Sequence, residues 1–295
     1  MKRKFYIAAL SALTILSCSP LDDSGSWTDG VSVILDWNVV TDSGLRPKGT
    51  GAIALTVYPK KEEMTPESYT MDREYITMDL PEGKYAYMAV PEKDEEWLTS
   101  TESYDTVELT LKTQQEETGD ITITDLPDHQ IYIGYTDNAR SLQATKTMTD
   151  VIMRPALKRL RLNLEVTDTI ECRGDVSFRL EGITTAMRVY SMTPMDEETG
   201  SYTVTALRKK PEKKDGTVRT TYQTTMAMPG VYGANNLFIT LRGDSIESGY
   251  QTDLTEFLRS SLAEDMTVTL RLDKATGEID GQTWKKGIEI GRAHV

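Results

Sequence analysis

Apolar residues in this chain recur mainly at every second position, the mark of half-buried strands. Val31, Val33, Leu35, Trp37 and Val39 fall on one face, and Ile53, Leu55 and Val57 form a second run that ends at Tyr58 and Pro59. Residues 41–51, rich in Gly, Ser and Pro, read as a loop, and the charged residues 60–68 have room for a turn of helix. Residues 75–80 predict a third strand. In the following turn Pro81 presets its own φ and Gly83 supplies backbone freedom, leading into a strand over residues 85–90. Val107, Leu109 and Leu111, then Ile121 and Ile123, then residues 130–135 complete this half. About seven short strands over roughly 110 residues is the spacing of a β-sandwich.

Residues 137–149 are polar and turn-rich, and a domain boundary is expected there. Beyond it Leu160, Leu162, Leu164 and Val166 alternate with Arg159, Arg161, Asn163 and Glu165, the clearest strand in the sequence. Further strands are predicted over residues 176–180, 187–192, 202–207, 220–228, 237–242 and 266–272. Leu254, Phe257, Leu258 and Leu262 fit one helical stripe. No short repeat or heptad appears. The expected fold class is all-β: two tandem Greek-key sandwiches, residues 29–143 and 144–288, on a tether.

The N-terminal stretch breaks the alternation. Lys2, Arg3 and Lys4 precede an apolar run from Phe5 to Leu16, which closes on Ser17 and Cys18. At roughly 12 residues the run is short of the ~20 a membrane-spanning helix needs, so residues 1–17 read as an export signal. Cys18 follows a small residue and lies three positions after Ile15, which resembles the bacterial lipoprotein signal. That resemblance implies a diacylated Cys18 as the new N-terminus, against the plainer alternative of an ordinary secretory signal. Each buried methylene of an acyl chain contributes about 0.8 kcal/mol, enough for two or three chains to hold a domain on a bilayer. Residues 18–28 read as a flexible tether. Within it the pair Asp22 and Asp23 is similar to the surface-export signal of Bacteroidota-type lipoproteins, or is simply polar linker. At the other end residues 289–295, EIGRAHV, resemble the in-frame translation of a sequencing adapter and are set aside from functional argument.

Charge then narrows the partners. The formal net charge of −13 becomes −16 once Lys2, Arg3 and Lys4 leave with the signal, which suits neither nucleic acid nor an anionic headgroup surface. With Cys18 acylated, Cys172 is the one remaining cysteine, so stability must come from burial and sheet hydrogen bonds rather than a disulfide.

Candidate chemistry is sparse. Apart from His294 in the excluded tail, His129 is the one histidine; in a polar turn beside Asp128 it is expected to face solvent rather than serve a Ser–His–Asp relay. No zinc-ligand spacing and no phosphate-binding or dinucleotide glycine motif is present, so neither a metal nor any cofactor is expected. Asp94, Glu95 and Glu96 before Trp97 suggest either a sugar-stacking platform with an acid, or a solvated loop with one aromatic folded back. Trp97 and Trp284 are the candidate glycan-stacking residues. The basic cluster Arg208, Lys209, Lys210, Lys213, Lys214 and Arg219 reads as a contact for an acidic partner or as a polar hairpin loop.

Trp37 in its strand, LTVYP at residues 55–59, LPEGKYAYMAV at residues 80–90 and KRLRLNLEV at residues 158–166 together resemble the fimbrillin-related lipoproteins of Bacteroidota, within them the FimB and Mfa-type fimbrial anchor family. The resemblance implies transthyretin-like sandwiches, no enzymatic activity, an outer-membrane location with surface exposure, and fimbrial subunits or other surface proteins as partners. Assembly would proceed by β-strand complementation as anchor or accessory subunit of a type V-like fimbria. Shaft subunits of that group are matured by arginine-specific cleavage; here Arg46 precedes Pro47, a bond such proteases cut poorly. The competing expectation is a glycan-binding outer-membrane lipoprotein of a nutrient-uptake system. A surface hydrolase would need a carboxylate pair in a cleft. Asp105–Thr106–Val107, Asp168–Thr169–Ile170 and Asp244–Ser245–Ile246 are similar to the O-glycosylation signal of these bacteria, making Thr106, Thr169 and Ser245 candidate acceptors.

Overall fold

The computed structural model describes residues 30–61, 64–141, 147–167, 175–195, 198–214, 217–242, 247–260, 265–272 and 279–286. The signal, Cys18, the tether, Thr169, Cys172, Ser245 and residues 287–295 lie outside the described residues. The regular structure among them is nearly all strand, with one α-helix, Thr255–Ser260, and one 3-10 helix, Glu92–Trp97. The all-β class expected from alternation is the class observed.

A first sheet of seven strands runs in the order Glu67–Met71, Ile53–Pro59, Gly83–Pro91, Tyr132–Ser141, Thr147–Pro155, Val31–Asp36, Tyr75–Met78. Its two outer strands are consecutive in the chain, joined by Asp72, Arg73 and Glu74, and three residues span at most about 10 Å. The sheet must therefore curl until its edges approach. Val31, Val33, Leu35, Trp37, Leu55, Tyr87, Val151 and Met153 fill the inside as one cluster.

Two strands of this sheet are apolar on both faces, for an observable reason. Ile53, Leu55 and Val57 point into that inner cluster, while Ala54 and Tyr58 belong to a second one; Tyr85, Tyr87 and Ala89 divide from Ala86, Met88 and Val90 in the same way. A strand covered on both faces reads as a continuous apolar run instead of an alternating one.

The second cluster is where two six-stranded sheets meet. One runs Leu207–Arg208, Thr217–Met228, Lys158–Thr167, Asp265–Leu272, Ile279–Lys286, with Glu212–Lys214 also on Thr217–Met228. The other runs Glu247–Asp253, Asn236–Arg242, Val176–Thr184, Thr199–Thr205, Ile121–Asp125, Lys112–Gln115. Leu160, Leu162, Leu164 and Val268 from the former pack with Phe178, Leu180, Leu237 and Ile239 from the latter. Fully burying each such side chain is worth about 1.5–3 kcal/mol.

Pairing is not confined to residues 29–143 and 144–288. Thr147–Pro155 lies parallel to Val31–Asp36, with Val31 opposite Thr147 and Asp36 opposite Ile152. In the other direction Glu108–Thr110 pairs with Ala186–Arg188, and Thr122 bridges Ser201. The stretch expected to be a polar divider, residues 137–149, contains the end of Tyr132–Ser141 and the start of Thr147–Pro155. Polar residues at their ends hide these two internal strands, whose outer partners, Gly83–Pro91 and Val31–Asp36, are distant in the chain.

The predicted helix forms as Thr255–Ser260, with Leu254 and Leu258 buried. The basic cluster is a hairpin on a sheet edge, with Glu212 opposite Arg219 and Lys214 opposite Thr217. Lysines and Pro211 at an edge discourage pairing with another chain.

Candidate functional site

The strand Gly83–Pro91 ends where Pro91 cannot donate to the ladder, and the chain enters the 3-10 helix Glu92–Trp97. Residues three apart eclipse in a 3-10 helix. Pro91, Asp94 and Trp97 accordingly turn inward, while Glu92, Lys93, Glu95 and Glu96 remain exposed. The acidic run is thus not a solvated loop throughout: Asp94 has no solvent exposure.

Its partner is His129, which corrects the expectation of a solvent-facing histidine. Asp94 Oδ1 lies 2.6 Å from His129 Nε2, and Asp128 Oδ1 lies 2.6 Å from His129 Nδ1. Burial pushes the Asp94 carboxyl above the usual carboxylate range, and the hydrogen bond and charge of His129 only partly offset this. The hydrogen bond from His129 holds Asp128 below its ordinary value. For His129 itself burial acts downward, but the hydrogen bonds to Asp128 and Asp94 outweigh it, and the imidazole titrates above its ordinary value. As an imidazolium it satisfies both carboxylates at once, since only the charged ring donates from both nitrogens.

The group borders a cleft of 310 Å³ whose walls include Lys48, Lys93, Gln130 and Arg159. A hydrolytic relay needs one imidazole nitrogen on a carboxylate and the other on a nucleophile. Here both nitrogens are taken by carboxylates. Thr50, also on the cleft wall, donates its hydroxyl to the Pro47 carbonyl at 2.7 Å. The arrangement ties the 3-10 helix to the Asp128–His129 turn and has no group placed for attack. Among the described residues no cluster of three or more His, Cys, Asp or Glu side chains is placed to hold a metal ion.

Arg46 is similarly engaged. Its Nη1 donates to the Gly51 carbonyl at 2.7 Å and its Nη2 to the Arg73 carbonyl at 3.0 Å, while Nε lies 3.1 Å from Glu74 Oε1. Glu74 Oε2 accepts from the indole of Trp37 at 2.7 Å, which links this loop to the inner cluster. An arginine-specific protease must pull this side chain into its own pocket. Trypsin added to a folded Pro47→Ala variant, in which the bond after Arg46 is no longer protected by proline, is therefore expected to nick the exposed hairpin at Arg208 or Lys209 well before Arg46; mass spectrometry of early fragments checks this, and early cleavage at Arg46 would contradict the geometry.

Of the expected glycan-stacking residues, Trp97 is 5% exposed. It sits in the main cluster with Lys112 Nζ 4.6 Å from its ring centroid, which leaves no face open to a sugar in this arrangement. Trp284 is opposite Val268 in the strand Ile279–Lys286, and its side chain lies outside the described residues. Thr106 is exposed in a turn, its hydroxyl donating to the carbonyls of Ser100 at 2.9 Å and Ser103 at 3.0 Å. The structure brings none of these together. The Asp94–His129 pair went unread because its partners are far apart in the chain; the period of three in Pro91, Asp94 and Trp97 is the one local signal that pointed to it.

The described residues thus form an all-β protein of curled and facing sheets. The sequence pattern of the fimbrillin-A associated anchor proteins Mfa1 and Mfa2 matches residues 53–283, and the chain belongs to that family. The family is one of fimbrial anchor proteins and not of enzymes, which places the chain at the cell surface or envelope. Comparison with curated proteins gives no match. Among solved structures the chain is similar to a candidate adhesin from Bacteroides thetaiotaomicron, with a TM-score of 0.60 at 13% identity, over 86% of this chain and 95% of that one. A candidate polysaccharide-binding protein from the same organism gives 0.56 at 13% identity over 89% and 99%. The fimbrial anchor protein Mfa2 from Porphyromonas gingivalis gives 0.52 at 12% identity over 88% and 97%. At these identities the likeness is one of fold.

Proposed function

We propose that this chain is the lipid-held anchor or accessory subunit of a type V-like fimbria on the outer membrane, facing outward. The observation that carries the reading is the family match across residues 53–283. Two features support it. The signal and Cys18 supply a site for acyl chains, and a tether over residues 18–28 gives the domain reach. Arg46, engaged and followed by Pro47, favours a subunit that keeps its first strand over one matured by cleavage.

Fimbrial subunits join by adding an extended segment to a sheet edge, where main-chain hydrogen bonds carry affinity. Among the described residues, the edges Glu247–Asp253 and Ile279–Lys286 are long enough for this, at seven and eight residues. The edge at residues 207–214 is guarded by its lysines and Pro211. Thr106, Thr169 and Ser245 remain the proposed O-glycosylation acceptors; at Thr106 a glycan would replace the hydroxyl hydrogen that now reaches Ser100 and Ser103.

Pull-down of the mature protein from its native outer membrane, with mass spectrometry of the partners and of its own N-terminal peptide, tests the reading. Pilin subunits co-purifying with a diacylated Cys18 are expected. Transport porins without any filament protein would overturn it in favour of the glycan-uptake alternative.

A further inference from the structure

A second cleft lies away from the Asp94–His129 pair, between two ledges at the end of the strand Val176–Thr184. It measures 550 Å³, within the roughly 300–1,000 Å³ of small-molecule sites. One ledge is the ribbon in which Ala186–Arg188 pairs with Thr193–Pro194, so that Arg188 stands opposite Thr193. The other is the loop that carries Val231 and Tyr232. Thr184 lies between them.

The Tyr232 loop is held with unusual thoroughness for a segment that exposes an aromatic ring. Tyr232 N–H donates to the Gly182 carbonyl at 2.8 Å, and Thr184 N–H to the Gly230 carbonyl at 3.1 Å. Asn235, fully buried, donates its side-chain amide to the carbonyls of Glu181 and Gly182. Arg259 Nη2 donates to the Gly233 carbonyl at 2.6 Å. Pro194 of the opposite ledge packs so closely on Gly230 that a Cβ there would lie 2.4 Å from its ring. Both walls are thereby fixed relative to each other. Tyr232 nevertheless stays 50% exposed, and a rigid ledge that keeps an aromatic in solvent is a preorganised contact.

The chemistry around the ring is consistent in kind. Ser191 and Thr193 offer hydroxyls, and Arg188 is the charged residue among the described lining residues. Its guanidinium pairs with no carboxylate among the described residues. Thr184 is 1% exposed and its Oγ1 is buried toward Gly230, so it backs the cleft between the ledges. A sugar ring has a C–H face that suits an aromatic surface and a rim of hydroxyls that suits short hydroxyl side chains. A carboxylate on that ring matches the planar fork of arginine, which binds such groups bidentately.

We propose that this cleft binds an acidic saccharide, with Tyr232 stacking on the sugar ring and Arg188 pairing with its carboxylate. Ser191 and Thr193 hydrogen-bond the hydroxyls. The site does not depend on the fimbrial reading.

Calorimetric titration of the full mature protein with trigalacturonate and with 3′-sialyllactose, against maltotriose as the neutral control, tests this. At least one acidic probe is expected to bind saturably and at least tenfold more tightly than maltotriose. Tyr232→Ala should weaken that binding at least tenfold, Tyr232→Phe should retain it, and Arg188→Gln should abolish the preference for the acidic probe. Both side chains are exposed, so thermal melts of the variants should match the parent and separate lost binding from lost folding. Absence of saturable binding by either acidic probe overturns the proposal, as does binding that survives Tyr232→Ala or a preference that survives Arg188→Gln.

Discussion

Gly182→Ala is expected to destabilise the protein by about 2–5 kcal/mol. Two separable costs add. Gly182 has a φ of +75°, where a residue with a Cβ loses about 1–2 kcal/mol. Its Cβ would also lie 2.4 Å from the Ala234 carbonyl oxygen and 2.4 Å from Asn235 Nδ2, and forcing volume into a filled site costs about 1–3 kcal/mol. The neighbours cannot retreat easily: one is backbone, and Asn235 is held by its own hydrogen bonds to Glu181 and Gly182. Gly119 supplies the control, because its φ of +90° is equally unfavourable but nothing lies within 4 Å of a Cβ there. Gly119→Ala should therefore show the conformational cost alone. In urea unfolding, equal losses for the two variants would mean that the Gly182 loop yields and that the Tyr232 ledge is not rigid.

Gly182 also marks the boundary of what alternation discloses. The strand Val176–Thr184 was legible from residues 176–180, whose apolar positions recur every second residue, and Lys158–Thr167 was legible throughout for the same reason. The bulge that follows was not: the register shift between Leu180 and Ile183 exists to seat the loop at residues 230–235, and no local pattern records that demand. Thr147–Pro155 and Glu247–Asp253 were invisible for a related reason. Thr147–Pro155 is internal to its sheet but carries polar residues at alternate positions and takes its register from the distant Val31–Asp36, while Glu247–Asp253 is a polar edge strand in a hairpin with Asn236–Arg242. The same limit separates the two candidate sites. Trp97 was legible as an aromatic folded back beside acids, but the burial of Asp94 with it follows from the three-residue period of a 3-10 helix that strand-oriented reading overlooks. Tyr232 carries no signal in the sequence, since its exposure on a fixed ledge depends on Gly182, Gly230 and Asn235 together.

His129→Ala is expected to cost about 3 kcal/mol, the lower end of the 3–5 kcal/mol for breaking a buried pair, because the imidazole side chain is 35% exposed. The loss arises mainly on the carboxylate left behind. Asp94 has no solvent exposure, and its Oδ2 already lacks a partner, so removing the imidazole strips the buried acid of its main compensating charge and leaves the more exposed Lys93. Asp94→Asn removes the charge but keeps the shape, and should cost about 1–2 kcal/mol. The double variant should then lose less than the sum of the single losses, with the deficit measuring the coupling between the pair. The pH dependence has a definite sign. Folding raises the His129 value, so its contribution is fully present below the unfolded value of about 6.5 and is lost as pH rises through the folded value. Burial raises Asp94 as well, so this acid too contributes most at low pH and opposes folding as it ionises. Urea unfolding from about pH 6 to about pH 9 should show the parent losing stability across the histidine range, and His129→Ala losing much less over the same interval. A parent whose stability is flat there, or a His129→Ala variant within about 1 kcal/mol of it at pH 6, would show that the pair is a surface contact and that the 3-10 helix is held by Trp97 alone.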